Sequence, residues 1–250
     1  MNKLTCLSSV VILITVSGVN VAYADPHLTL GVGADILQSP YKQYSRDIYP
    51  VPLINWENDD YWFRGLGGGY YLWNDRTDKL SVIACYSPVH FTPDDSNNRQ
   101  LQRLNKRKGT LMAGLSWRHL FGPGFVRTSI TRDILNNSNG TILDAAWLYP
   151  YTTGLFTLTP GAGIEWDNRN ANDYYYGISH KESARSGLKS YQASSSWSPY
   201  LEVTLNYRFA ANWSFYGSGR YVRLSNEVKD SPMVDKNWSG QFLTGFTYTF

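Results

Sequence analysis

Apolar and polar residues alternate with a period of two over long stretches of this chain. The clearest stretch alternates two sets: Leu201, Val203, Leu205, Tyr207 and Phe209 with Glu202, Thr204, Asn206 and Arg208. Successive side chains of a β-strand point to opposite faces, so each stretch predicts a strand with one apolar and one polar face. The stretches run for about ten residues, which matches a tilted transmembrane strand and exceeds the roughly five to six residues usual in soluble sheets.

Aromatic residues are abundant in a chain that is polar on average. Its 250 residues include 19 Tyr, 9 Trp and 10 Phe, yet its mean hydropathy is −0.36. Beyond residue 24, no apolar stretch approaches the roughly 20 residues that a transmembrane helix requires. In a membrane barrel, half of each strand faces lipid, and Tyr and Trp collect at both interfaces. We therefore predict an all-β fold, a transmembrane antiparallel β-barrel of the bacterial outer membrane.

Eleven stretches qualify as strands: 27–36, 47–56, 60–71, 79–91, 109–121, 124–134, 141–152, 155–167, 197–209, 213–225 and 239–250. Tight turns are predicted at 122–124, 153–154 and 210–212, and longer polar loops at 93–108, 168–196 and 226–238. Short turns on one side and long loops on the other are typical of outer-membrane barrels, whose strand number is even. The alternation of short and long connections fails between residues 27 and 79. The sequence therefore predicts ten or twelve strands in one barrel domain, 25–250.

The first 24 residues predict a cleaved signal peptide. Lys3 precedes the apolar run 10–16, and Ala22-Tyr23-Ala24 supplies small residues at the −3 and −1 positions of a cleavage site between Ala24 and Asp25. The apolar run is too short to span a bilayer. We therefore expect export through the periplasm to the outer membrane.

Groups for catalysis or cofactor binding are sparse. The four histidines, His27, His90, His119 and His180, lack the spacing of a metal site, and Cys85 is the only cysteine after residue 24. Basic and acidic residues number 23 and 20, which gives no electrostatic case for nucleic acid. The sequence predicts no metal, no cofactor and no nucleic-acid partner.

Two local patterns suggest sharper hypotheses. The glycine-rich segment 65–70 resembles a phosphate loop, but no Lys-Ser/Thr follows, so a closely packed barrel strand is favoured. Residues 174–183 contain His180, Glu182 and Ser183, the residue types of a hydrolase triad. Triad members are assembled by the fold rather than by adjacent positions, and no G-x-S-x-G turn is present. This segment is therefore predicted to be a surface loop.

A basic run occupies residues 99–108, with five basic residues and no acidic one. The simpler interpretation is a solvated loop that contacts the anionic headgroups of outer-membrane lipids. The alternative is a docking patch for a protein partner.

The C-terminal strand carries aromatic residues at alternating positions, Phe246, Tyr248 and Phe250. A final strand of this kind resembles the signal that the bacterial barrel-assembly machinery reads. That machinery is therefore an expected partner during insertion.

Several longer strings resemble one known family, the MltA-interacting protein / OmpV family. They are Pro50-Val51-Pro52, the segment 62–75 (WFRGLGGGYYLWND), the segment 174–188 (YYYGISHKESARSGL), Ser231-Pro232-Met233-Val234 and Tyr248-Thr249-Phe250. The similarity spans essentially the whole chain after the signal peptide. Fold alone would say nothing of function, so the family carries the functional expectation.

The resemblance implies a non-enzymatic outer-membrane scaffold. Its expected partners are a lytic murein transglycosylase and a bifunctional penicillin-binding protein, which it would link in cell-wall synthesis and remodelling. The family supplies no catalytic motif to transfer. If the short turns face the periplasm, Arg76 and Lys79 are candidate partner contacts. A small-solute channel, based on inward polar residues such as Glu165 and Arg220, and a barrel hydrolase, based on His180 and Ser183, are the alternatives.

The first prediction concerns processing. The mature protein should begin at Asp25, because Ala22 and Ala24 provide the small side chains that signal peptidase requires. N-terminal sequencing of the protein purified from outer membranes tests this. A start at Met1, or one beyond Pro26, would contradict it.

Overall fold

The computed structural model describes residues 27–44 and 47–250, so residues 1–24 and the Ala24–Asp25 cleavage point lie outside the described residues. The described strands are β1 (His27–Gln38), β2 (Asp47–Glu57), β3 (Tyr61–Arg64), β4 (Gly67–Asn74), β5 (Asp78–Ser87), β6 (Thr110–Phe121), β7 (Gly124–Asp133), β8 (Thr141–Leu148), β9 (Tyr151–Thr153), β10 (Phe156–Asp167), β11 (Ser196–Arg208), β12 (Trp213–Arg223) and β13 (Trp238–Thr249). Three short α-helices lie between them: α1 (Arg169–Tyr176), α2 (His180–Ser186) and α3 (Asn226–Lys229). None of the helices in these ranges has the length and apolar composition needed to cross a membrane.

The strands form one closed antiparallel sheet. β13 pairs with both β12 and β1, which joins the two ends of the chain, and β10 pairs with β11 and β8. The short β9 follows Pro150, continues the line of β8 and pairs with the same neighbour, β10. The wall therefore contains twelve strand positions, which confirms the barrel and the higher of the two predicted numbers.

The predicted strand at 60–71 is wrong, because the chain turns within it. β3 and β4 form a tight hairpin, and Gly65 in the turn has a φ of +56°, a conformation that glycine adopts without steric cost. The hairpin contributes two strands where one was predicted. This explains why the alternation of short and long connections failed between residues 27 and 79. The predicted strand 79–91 is also too long, since β5 ends at Ser87.

The apolar stripes face outward and the polar stripes face the lumen, as the alternation predicted. Leu201 and Val203 are 62% and 42% exposed, whereas the inward-facing Tyr200 is buried. Exposed apolar side chains of this density belong against lipid rather than water. Phe246 and Phe250, at the end of the closing strand, are also exposed and outward-facing.

The two ends of the barrel differ in their connections. Short turns lie at 58–60, 75–77, 122–123, 154–155 and 209–212, on the end that also holds the C-terminus. The long connections 88–109, 168–195 and 224–237 lie at the other end, together with 39–44, 134–140 and the β3–β4 turn. By the usual asymmetry of these barrels, we assign the short-turn end to the periplasm.

The outward stripe yields the second prediction. Leu205→Arg should destabilise the barrel by about 2–4 kcal/mol if the position lies near the bilayer midplane, because Leu205 faces lipid. Thr204→Arg, one residue away on the lumen face, should cost less. Urea titration of the two variants in lipid vesicles measures the difference, and a larger cost for Thr204→Arg would reverse the assigned faces.

Candidate functional site

Charged side chains from the adjoining strands β7, β8, β10, β11 and β12 meet inside the lumen. Arg127 on β7 and Arg220 on β12 are both buried, and each contacts two carboxylates. Arg127 Nη1 lies 3.0 Å from Glu202 Oε1, and Arg220 Nη2 lies 3.0 Å from Asp144 Oδ2. Buried charges are tolerated only when they are paired and hydrogen-bonded, so this upper ion-pair cluster fixes the positions of four strands.

Tyr200 completes the upper ion-pair cluster. Its hydroxyl donates to Asp144 Oδ2 at 2.7 Å, and the guanidinium of Arg220 lies 3.6 Å from the centre of its ring. Glu165 joins at the edge through Arg220, at 3.2 Å. Polar residues that suggested a conducting lumen, such as Glu165 and Arg220, are therefore largely bound to one another inside it.

A second group of charges lies near the periplasmic mouth. Glu57 on β2 accepts hydrogen bonds from Arg64, from Lys79 Nζ at 2.7 Å and from the hydroxyl of Tyr71 at 2.6 Å. Lys79 also lies over the ring of Tyr71. Lys79 is thus a lumen residue with a partner, whereas the turn residue Arg76 is exposed. Of the two candidate partner contacts, only Arg76 is exposed at the surface of the short-turn end.

The turn that carries Arg76 is held by Asp75. Its carboxylate accepts from the backbone N–H groups of Thr77 and Asp78 and from Trp73 Nε1, each at 2.7 Å. These bonds, with the one from Asp78 foremost, lower the pKa of Asp75. The turn therefore holds the carboxylate of Asp75 in place beside the exposed side chain of Arg76.

The outer loops form a lid with its own apolar core. Its buried members include Tyr41, Tyr44, Phe91, Leu101, Leu104, Ile178, Leu188, Val228, Met233 and Val234. The predicted surface loop 168–196 is thus only partly correct, because it folds into α1 and α2 and contributes to this core. The basic run 99–108 is not a freely solvated loop either, since Leu101, Leu104 and Arg107 are buried.

One ion pair connects two of these loops. Arg107 Nη2 lies 2.8 Å from Glu182 Oε1, and both side chains are almost fully buried. Arg107 Nε also donates to the carbonyl of Tyr174 at 2.6 Å. Burial alone would raise the pKa of Glu182, but hydrogen bonds from Asn105 and Ser179 and the charge of Arg107 hold it at about 2. Glu182 is therefore ionised throughout the ordinary pH range.

The hydrolase residues are not assembled into a triad. His180 is exposed at the start of α2, and the Ser183 hydroxyl donates to the carbonyl of Leu188 at 2.7 Å. Glu182 is bonded to Arg107 and Ser179 rather than to His180. Each group has a structural role or faces solvent, so the segment offers no nucleophile–base pair.

A cavity of about 170 Å³ lies between the lid and the upper ion-pair cluster. Its lining includes Leu37, Cys85 and Met112 of the barrel, Tyr41 and Tyr175 of the lid, and the charged residues Arg127, Asp144, Glu165, Asp167 and Arg220. No group of three or more His, Cys, Asp or Glu side chains within the described ranges is arranged to hold a metal ion. The cavity is mainly apolar, and its charged residues come from β7, β8, β10 and β12.

Comparison with known proteins gives the family. A model described as MltA-interacting protein MipA matches residues 30–250. The chain is 54% identical over 250 residues, the whole of both chains, to the MltA-interacting protein of Escherichia coli K12. The chain belongs to the MltA-interacting protein family. This confirms the resemblance seen in the sequence.

Other relatives agree on the location. The putative outer membrane protein YiaT of Escherichia coli K12 is 38% identical over 89% of this chain and 91% of its own. The outer membrane protein OmpV of Vibrio cholerae is 31% identical over 74% of this chain and 71% of its own. This family member is thus an outer-membrane protein, and the relatives named here are described as an interacting protein or as outer membrane proteins, not as enzymes.

Two solved structures match most of the chain at low similarity. The NanC porin has a TM-score of 0.41 at 10% identity and covers 90% of this chain and 99% of its own. An outer-membrane channel of Pseudomonas putida F1 has a TM-score of 0.45 at 9% identity and covers 92% and 97%.

The third prediction concerns the lid. Glu182→Gln should leave Arg107 buried without a counter-charge, which costs about 3–5 kcal/mol, and should make residues 88–109 and 168–195 sensitive to protease at pH 7. Limited proteolysis followed by mass spectrometry measures this. Glu227→Gln is the matched control, because Glu227 accepts a hydrogen bond from Ser194 at the surface and glutamine can replace it there.

The same ion pair sets a pH dependence. The pKa of Glu182 is lowered from 4.5 to about 2 by folding, so its contribution is complete above about pH 5 and is lost as the pH falls toward 2. Pepsin digestion between pH 5 and pH 2 should therefore open the wild-type lid progressively. In Glu182→Gln, this component of the pH dependence should be absent, and an unchanged profile would contradict the assignment.

Proposed function

We propose that this protein is a non-enzymatic scaffold of the outer membrane that links a lytic murein transglycosylase with a bifunctional penicillin-binding protein. The observation that carries the proposal is the 54% identity, along the entire chain, to a protein named for its interaction with MltA. A relationship that covers every strand, turn and loop supports transfer of the partner as well as the fold. The penicillin-binding protein enters through the family resemblance.

The structure supports this role over conduction of solutes. The upper ion-pair cluster fills the lumen beside the adjoining strands β7, β8, β10, β11 and β12, and large side chains such as Phe125, Leu148 and Tyr216 are also buried inside the barrel. A twelve-stranded barrel encloses much less space than the sixteen to eighteen strands of a porin. The lid adds further buried apolar side chains at the outer end.

The partners act on the cell wall, so the docking surface must be accessible from the periplasm. The short turns at 58–60, 75–77, 122–123, 154–155 and 209–212 form that surface. A stable protein interface buries about 1,200–2,000 Å² in total, which exceeds the area of any one turn. A partner must therefore contact several turns at once, and confinement at the membrane raises its effective concentration.

The fourth prediction tests the docking surface. Arg76→Glu should reduce the recovery of the transglycosylase and of the penicillin-binding protein in pull-downs from solubilised envelopes, because it reverses an exposed charge on the periplasmic turn side. Lys79 is a poor test, since its replacement would also disrupt the Glu57 cluster. Quantitative mass spectrometry of the eluate provides the measurement.

Arg99→Glu is the matched control, with the same charge change on an exposed residue of the outer lid. Its pull-down should match that of the wild type. Loss of the partners with Arg99→Glu and normal recovery with Arg76→Glu would place the docking surface on the outer end and refute the assigned orientation.

A further inference from the structure

Two carboxylates of β10 face the cavity beneath the lid. Glu165 and Asp167 are two residues apart on one strand, so their side chains point to the same face, and both line the cavity. Glu165 accepts a hydrogen bond from Arg220 Nη2 at 3.2 Å. No residue of the described chain donates a hydrogen bond to the carboxylate of Asp167 or forms an ion pair with it. The cavity is therefore bordered by one carboxylate that lacks a counter-charge.

The other charged groups around the cavity do not supply that counter-charge. The upper ion-pair cluster contains two guanidinium groups, and each already contacts two carboxylates. Together with Asp167, four carboxylates therefore share these two groups: Asp144, Glu165, Asp167 and Glu202. His90 also lines the cavity, but burial lowers the pKa of its imidazole, which is thus neutral at pH 7. Because a partly buried charge without a partner is costly, this space favours a cation.

The lid places an aromatic hydroxyl beside the same two carboxylates. Tyr176 lines the cavity with Asp167 and Glu165; burial raises the pKa of its hydroxyl, and the two negative charges raise it further. This hydroxyl has no hydrogen-bond partner within the described ranges. The ring of Tyr176 lies 5.7 Å from the ring of Tyr41, which also lines the cavity. Aromatic faces attract a cation within about 6 Å, so carboxylates and tyrosine rings together suit an ammonium ion.

The cavity has the size and the walls of a site for a small organic molecule. Its apolar lining includes Leu37, Ile142 and Val222, which offer no ligand atoms to a metal ion. In the part of the chain that the structure describes, no three His, Cys, Asp or Glu side chains surround a metal position. An apolar cavity of roughly 150 Å³ can hold benzene, so about 170 Å³ accommodates a ring with a short substituent. These features favour an organic cation with an apolar body over a hydrated metal ion.

We propose that the cavity binds a small primary ammonium ion with an apolar body. The charged nitrogen lies beside the carboxylates of Asp167 and Glu165, where it supplies the missing counter-charge and donates hydrogen bonds to their oxygen atoms. The apolar body packs against the rings of Tyr41 and Tyr176 and against the aliphatic wall of the barrel. This inference does not depend on the proposed murein partners.

The test uses the full-length mature barrel in phosphatidylcholine nanodiscs, with empty nanodiscs as the blank. Isothermal titration calorimetry at about pH 7 compares benzylammonium with benzyl alcohol, a neutral molecule with the same number of non-hydrogen atoms. We expect benzylammonium to bind at one site per barrel, about tenfold or more tightly than benzyl alcohol. Equal affinity for the two probes would indicate an apolar cavity without charge recognition and would overturn the proposal, as would the absence of benzylammonium binding.

A pair of substitutions tests the position of the charge. Asp167→Asn keeps the shape of the side chain and should weaken benzylammonium binding about tenfold or more, while binding of benzyl alcohol stays unchanged. Asp230→Asn is the matched control, since it makes the same charge change at an exposed lid residue outside the cavity, and it should bind as the wild type does. Heat-modifiable migration verifies that both variants are folded. Unchanged affinity in folded Asp167→Asn, or an equal loss in Asp230→Asn, would refute the site.

Discussion

The ladder between β1 and β13 joins the first and last described strands and removes the two free edges that the sheet would otherwise have. In hydrocarbon, a backbone N–H or C=O without a partner costs several kcal/mol, so a sheet can remain there only when it closes. The pairing Val32–Phe246 lies in this ladder, and the N–H of Phe250 donates to the carbonyl of Leu28. The aromatic C-terminus therefore belongs to the closing contact of the barrel.

Closure of the sheet also determines which side chains meet inside the barrel. Once the sheet is closed, residues far apart in sequence face one another across a narrow lumen, and any charge there loses most of its water. Arg127 on β7 and Glu202 on β11 are separated by 75 residues in the sequence. Their side chains nevertheless lie 3.0 Å apart, between Nη1 and Oε1. Pairing is compulsory for such groups, because one member left alone would be a buried charge. The interior is thus fixed by electrostatics as much as by packing, which favours a rigid scaffold over a pore.

The sequence predicts what depends on local periodicity and fails where distant residues decide. The faces of β11 follow from the alternation of Leu205 with Thr204, because side-chain direction is a local property of a strand. The strand number was ambiguous, since the glycines at 65–69 interrupt the alternation where β3 turns into β4. The pairing of Arg107 with Glu182 requires the fold and has no local signal. In contrast, Ser179-His180-Lys181-Glu182 fits the capping box that begins α2, so this helix could have been predicted within a segment interpreted as a loop.

Residues 47–53 of β2 pair with β1 on one side, and no strand of the described chain pairs with their other edge. Pro50 and Pro52 lack the N–H that would otherwise point to this edge. On the open edge they remove only donors that would have had no strand to bind. The same two residues thus lower the penalty of an open edge and prevent its pairing with another chain.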